Sequence, residues 1–303
     1  GLARRQKIAK CEGLYHGSYD FAEVSNAPVK GNDRHPRSQP YGAYTPQSVL
    51  DDVVVLPFND IALSEEIIRL NADSLAGIVI DLAPSRLGYR LADPAYLRSL
   101  RTLCDELGIV LIFDEVASFR AAVGGAQSYF DVKPDLVVFG KIIGGGMPIG
   151  AVGGSAKAME IFNPRAKDHM SFTGTFNANP MSLAAGLATL RHYGDAEVDR
   201  VNAMGKAVRE TLAGAISEAG VPVTVTGNFS FISITFGVKS CEDYHSAIMS
   251  PQEKEAHHAF WKECLAKGIL IDVSGRANIS TSFSEEDCWE LETGLRDAIL
   301  KQF

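Results

Sequence analysis

The chain has 303 residues, 46% of them hydrophobic and 28 of them glycine, enough for a large α/β core with a smaller appended domain and too apolar for a disordered polypeptide. Lys and Arg total 29 against 37 Asp and Glu, so the net charge is −8, and with no basic stripe interleaved with aromatics this argues against nucleic-acid binding. Five widely spaced cysteines (Cys11, Cys104, Cys241, Cys264, Cys288) without metal-ligand spacing, and no apolar run long enough for a bilayer, point to free thiols in the cytoplasm, without zinc, disulfide or membrane.

In chain order, residues 38–57 carry Pro40, Gly42 and Pro46 and read as an irregular loop of the kind that overlies active sites or subunit surfaces. Ala76–Leu82 is a predicted strand. Asp93-Pro94 opens a helix with Leu97, Leu100, Leu103, Cys104 and Leu107 on one stripe, and Gly108 closes it. Gly108–Phe113 and Leu136–Phe139 are apolar and β-branched throughout, as buried parallel strands are. The first two strands and their helix make a βαβ unit, expected to be right-handed. Asn179-Pro180 starts a small-residue helix running to His192, suited to close packing against the sheet. After Gly194 the character changes: a long helix from about Glu197 to Ala219, a strand near Phe229–Phe236, and helices near Gln252–Lys267 and Glu285–Lys301. The fold class is therefore α/β, with a large domain over residues 1–195 and a small α+β domain over residues 196–303.

Two apolar strands each end on a chargeable residue, Asp114 and Lys141. Ligands of open α/β sheets bind outside the carboxyl ends of the strands, so an acid and an amine face one rim. A lysine flanked by Gly140 and Gly144–Gly146 is able to carry a Schiff base to a carbonyl cofactor. Pyridoxal phosphate works as an electron sink while its ring nitrogen stays protonated, and a buried carboxylate favours that state, which makes Asp114 the candidate partner. Taken singly, Asp114 reads equally well as a turn cap and Lys141 as a solvated loop lysine. A dinucleotide-binding reading of Gly144–Gly154 is weaker, because the glycines follow the lysine and no acid stands at the required distance.

Leu14-Tyr15-His16-Gly17, Leu111–Val116, Gly124–Gln127, Pro134–Leu136, Gly140–Gly146, Pro148–Gly150, Gly174–Phe176 and Asn179-Pro180 together resemble the class III pyridoxal-phosphate aminotransferases, nearest to the glutamate-1-semialdehyde 2,1-aminomutase branch. The likeness runs in order from about Lys7 to Leu190 and more loosely beyond. It implies a fold type I transferase, a mainly parallel sheet with helices on both faces plus a smaller C-terminal domain. It also implies that Lys141 is the Schiff-base lysine and proton shuttle, that Asp114 holds the pyridine nitrogen, and that Tyr15 and Val116 sandwich the ring. Stacking of that kind contributes about 0.5–1.5 kcal/mol beyond buried area. Thr175 matches the threonine that reaches the phosphate of the partner subunit's cofactor, which implies a homodimer with shared active sites; the helix start at Asn179 nearby suits an anion. By residue type alone Tyr15 and Val116 read as core and His16 as a hydrogen-bonded loop residue.

Departures from the pattern bear on substrate. Gly1 opens the chain past the family's Ser-Gly-Thr phosphate cup, so that cup and the segment ahead of it are expected to be missing. Asp81 stands where the family carries glutamate, followed by Ser85-Arg86-Leu87 in place of a glycine turn, and the Asp114–Arg120 loop is one residue short. Many relatives hold the substrate α-carboxylate with an arginine where this chain has Ser280, and Ser280 cannot make a bidentate contact. Arg276 nearby offers a substitute for that arginine, against the blander reading of an exposed loop residue. The expectation is an aminotransferase acting on an amino acid or amine and an aldehyde or keto acid, with two alternatives: an aminomutase moving the amine within one substrate, and a non-catalytic homologue or fragment.

Overall fold

The computed structural model describes residues 2–29 and 35–303. Two compact units emerge, one from residues 1–82 and 92–194, the other from residues 83–91 and 195–303.

Unit 1 is built on six strands: β1 (Lys7–Cys11), β2 (Val53–Leu56), β3 (Leu75–Asp81), β4 (Val110–Asp114), β5 (Leu136–Gly140) and β6 (Gly150–Gly154), in the spatial order β2-β1-β3-β4-β5-β6. The first five pair in parallel, and β6 runs antiparallel to β5. Helix α1 (Ile61–Leu70) and helix α2 (Pro94–Leu107) follow β2 and β3. Helix α2 starts where the sequence puts it: the Asp93 carboxylate accepts the Ala95 N–H at 2.6 Å, and Gly108, at φ 65°, closes it. Tyr96, Leu97, Leu100, Leu103 and Cys104 are buried along its length, each burial stabilising the fold by about 1.5–3 kcal/mol for a side chain of leucine size. Helix α3 (Pro180–His192) is likewise capped by Asn179, whose side-chain oxygen accepts from Met181 N–H at 2.9 Å.

The predicted mainly parallel sheet with a second, smaller sheet-bearing unit is what the chain forms, with local corrections. Residues 38–57 are not one irregular loop: they contain a short helix, Gln47–Asp51, and the strand β2. Four apolar residues in a row, Val53 to Leu56, are all buried, and that is too short a run for periodicity to separate from a loop that merely touches the core. Strand β6 also went unread, since Gly150, Gly153 and Gly154 carry no strand propensity.

Unit 2 places helix α4 (Asp195–Ala219) beside an antiparallel sheet of β7 (Val223–Thr226), β8 (Phe231–Phe236) and β9 (Arg276–Asn278), with helix α5 (Pro251–Ala266) and helix α6 (Glu285–Leu300). Helices α5 and α6 open with capping boxes, Ser250 with Glu253 and Ser284 with Asp287. Ile232, Ile234 and Phe236 are buried on β8, and Phe236 lies 5.6 Å from Phe260 of α5, ring centre to ring centre.

Candidate active site

Strands β3, β4 and β5 end at one rim of the sheet. Asp114, the last residue of β4, pairs with Asp81 on one side and with Val138 of β5 on the other, and Lys141 comes three positions after Val138. Asp114 thus sits within its strand rather than past it, which fixes its backbone on both sides. Its carboxylate is fixed as well. The Val116 N–H donates to Oδ1 at 3.0 Å, and His16 Nδ1 lies 2.8 Å from Oδ2. An ionised carboxylate only accepts, so in this contact Nδ1 is the donor and Nε2 is left facing away from Asp114. That Nε2 is buried and has no hydrogen-bond partner among the described residues. The His16 contact spans the start and middle of the chain, and a charge-assisted hydrogen bond of this kind contributes about 1.5–3 kcal/mol. Among the described residues no group of three His, Cys, Asp or Glu could hold a metal ion.

Lys141 is exposed and has a left-handed backbone, φ 51°, at the head of a single 3-10 turn, Lys141–Gly144. Helix α3 packs on this turn, not on the sheet face expected for it: a Cβ on Gly186 would overlap the Ile143 carbonyl, so only glycine permits the approach. Val116 is half-buried, with its Cγ1 3.3 Å from where a Gly140 Cβ would stand, so it lies at the base of the lysine turn. Tyr15 is half-exposed and reaches Ser18 Oγ at 3.2 Å; it follows β1 and precedes His16. Thr175 is exposed in the stretch ahead of α3. The fold thus brings Asp114, Val116 and the lysine turn to neighbouring strand ends, with Tyr15 joined to them through His16. Thr175 makes no hydrogen bond with them among the described residues.

Two groups escape sequence reading. His16 touches Asp114 directly, a contact 98 positions apart for which the sequence carries no signal. Glu115 is fully buried and turns away from the rim: Oε2 accepts from Ala126 N–H at 2.6 Å and Oε1 from Gln127 N–H at 3.1 Å, pinning the Gly124–Gln127 loop. Burial pushes its carboxyl above the ordinary glutamate value, opposed by these two backbone bonds. Arg276, read from sequence as an exposed loop residue, is instead the first residue of β9, half-buried, with Nη1 donating to Ser85 Oγ at 3.0 Å.

The family described as aminotransferase class-III matches residues 2–298. The chain belongs to the class III aminotransferases. It is 35% identical over 288 residues to the glutamate-1-semialdehyde 2,1-aminomutase of Methanocaldococcus jannaschii, an alignment covering 95% of this chain and 66% of that protein. Among solved structures it resembles an omega-transaminase from Sphaerobacter thermophilus at 42% identity and TM-score 0.96, over 99% of this chain and 69% of that one. A transaminase with PLP bound shares 33% identity at TM-score 0.90, over 99% of this chain and 68% of the other. The chain thus spans about two thirds, 66%, of the length of the first curated relatives it matches.

Proposed function

We propose that this class III chain works as a pyridoxal-phosphate-dependent aminotransferase, moving an amino group between an amino acid or amine and an aldehyde or keto acid, with Lys141 as its catalytic residue. The observation that carries this reading is the Asp114 carboxylate, aimed from the end of β4 by two fixed hydrogen bonds, one strand away from the lysine turn. The donor set suits the cofactor: a carboxylate clamped by two hydrogen bonds for a ring nitrogen and an exposed amine for a carbonyl. Pyridoxal phosphate, when bound, supplies a protonated ring that withdraws electrons from the carbon losing its proton. Asp114 keeps the proton on the ring nitrogen by charge pairing. His16 holds Asp114 in one orientation, Tyr15 and Val116 would hold the ring between them, and Lys141 Nζ would take and return the substrate proton.

Incubation with pyridoxal phosphate, borohydride reduction and peptide mapping should place the label on Lys141, and Lys141→Ala should keep its melting temperature while losing turnover at least a thousandfold. A label elsewhere, or an active Lys141→Ala protein, refutes the assignment. Absence of any label favours the non-catalytic reading. The names of the curated relatives support a second reading, an aminomutase. A transaminase turns over only with an added acceptor such as pyruvate or 2-oxoglutarate, whereas an aminomutase turns over without one.

The active sites are read as shared in a homodimer. Leu183, Leu187 and Leu190 recur at helical spacing along α3 yet stay exposed, as do Phe172, Phe176 and Met181, and Thr175 stands among them. Sedimentation should give twice the 32.7 kDa chain mass, and a monomer at micromolar concentration would count against it. Five free cysteines suit a reducing cytoplasm, and recovery of the chain in a membrane or secreted fraction would contradict that placement.

A further inference from the structure

Unit 2 carries a cavity of about 310 Å³ whose lining is basic and hydroxylated in a protein of net charge −8. Arg86, Lys254 and Arg276 line it, with hydroxyls from Ser85, Ser233, Thr235, Tyr244 and Ser274, and no carboxylate does. Strand geometry explains the grouping. Ser233 and Thr235 alternate with the buried Ile232, Ile234 and Phe236 on β8, and Arg276 pairs with Ser233 across the β8–β9 ladder, so Arg276 stands on the Ser233 side of the sheet.

The wall opposite comes from residues 83–91 and is pre-set. Tyr89 stacks on Phe231 with ring centres 4.4 Å apart, and Asn228 Nδ2 donates to the Tyr89 carbonyl at 2.9 Å. Gly88, at φ 62°, lies against Thr226, where any Cβ would overlap the threonine hydroxyl. The Arg276 fork is oriented by its 3.0 Å bond to Ser85 Oγ.

Two nearby carboxylates, Asp243 and Glu253, are engaged elsewhere. Asp243 caps the short helix Tyr244–Ala247 through the Ser246 N–H at 2.6 Å. Glu253 pairs with Lys239 at 2.8 Å and accepts the Ser250 N–H at 2.6 Å. Asp272 is bonded by the Ser274 N–H at 2.8 Å and by its hydroxyl, and also pairs with Arg276 Nη2 at 3.5 Å, which leaves Nη1 directed at Ser85. Lys254 makes no ion pair among the described residues. Two arginines and a lysine facing hydroxyls, with no carboxylate in the cavity lining, form a receptor for planar or tetrahedral oxyanions, which arginine forks grip with paired N–H donors.

We propose that this cavity is a binding site for a small doubly charged oxyanion, a dicarboxylate or a phosphate, held by Arg86, Lys254 and Arg276. Calorimetric titration of the full chain with succinate and, separately, with inorganic phosphate, at ionic strength fixed with chloride, tests it. One of the two should bind with a stoichiometry of one per chain and saturate. Tighter succinate binding identifies a dicarboxylate ligand, and tighter phosphate binding a phosphorylated one. Arg276→Ala should weaken that binding at least tenfold and Lys254→Ala severalfold, while Lys206→Ala on the exposed face of α4 should leave it unchanged. Should Arg276→Ala fail to fold, Lys254→Ala decides alone. No binding above chloride, or binding that survives both Arg276→Ala and Lys254→Ala, overturns the proposal.

Discussion

At the residue scale two buried acids, Asp114 at the end of β4 and Glu115 just after it, are neighbours in sequence with opposite tasks. Asp114 faces the rim and has His16 beside it; Glu115 faces inward with two backbone N–H groups and the Ser118 hydroxyl. Because burial raises the Glu115 pKa in the folded chain, the fold prefers its protonated form. Stability from this group is therefore fully present below the ordinary glutamate pKa and is lost as pH rises through the raised value. Urea melts of wild type and Glu115→Gln across pH 4 to 8 should show the wild type losing ground relative to the variant with rising pH, then levelling. Parallel pH dependence of the two proteins would show that Glu115 does not carry the effect.

At the element scale the lysine turn and α3 form one mechanical piece. Gly186→Ala should push the Ile143 carbonyl and with it Lys141, at a cost of about 1–3 kcal/mol. That exceeds the roughly 1 kcal/mol alanine brings to a helix interior. Lower urea midpoints together with reduced turnover would bear this out, and a variant as active and stable as wild type would not. Elements that announce themselves locally were legible in the sequence: α2 through Asp93, Pro94 and Gly108, and α3 through Asn179 and Pro180. The placement of Asp114 and Lys141 at adjacent strand ends was legible for a related reason, since each closes an apolar run and the ends of parallel strands share a rim. What stayed hidden depends on distant partners. Strand β2 needs β1 to be recognised as a strand, β6 needs β5, and the roles of His16 and Arg276 need residues 98 and 191 positions away.

At the scale of the molecule, an acidic chain with an exposed apolar helix face and a basic cavity divides its surface by chemistry. The path of the backbone adds a constraint. It leaves unit 1 after Leu82, returns at Ala92 and leaves again after Gly194, so three peptide links join the units. Excising residues 195–303 as a separate piece would therefore discard Ser85, Arg86, Gly88 and Tyr89, unstack Phe231 and leave Asn228 without its carbonyl. The nine-residue excursion works as a rivet: neither fragment from a single cut at residue 194 is a whole unit, and the smaller one would lack a wall of the basic cavity.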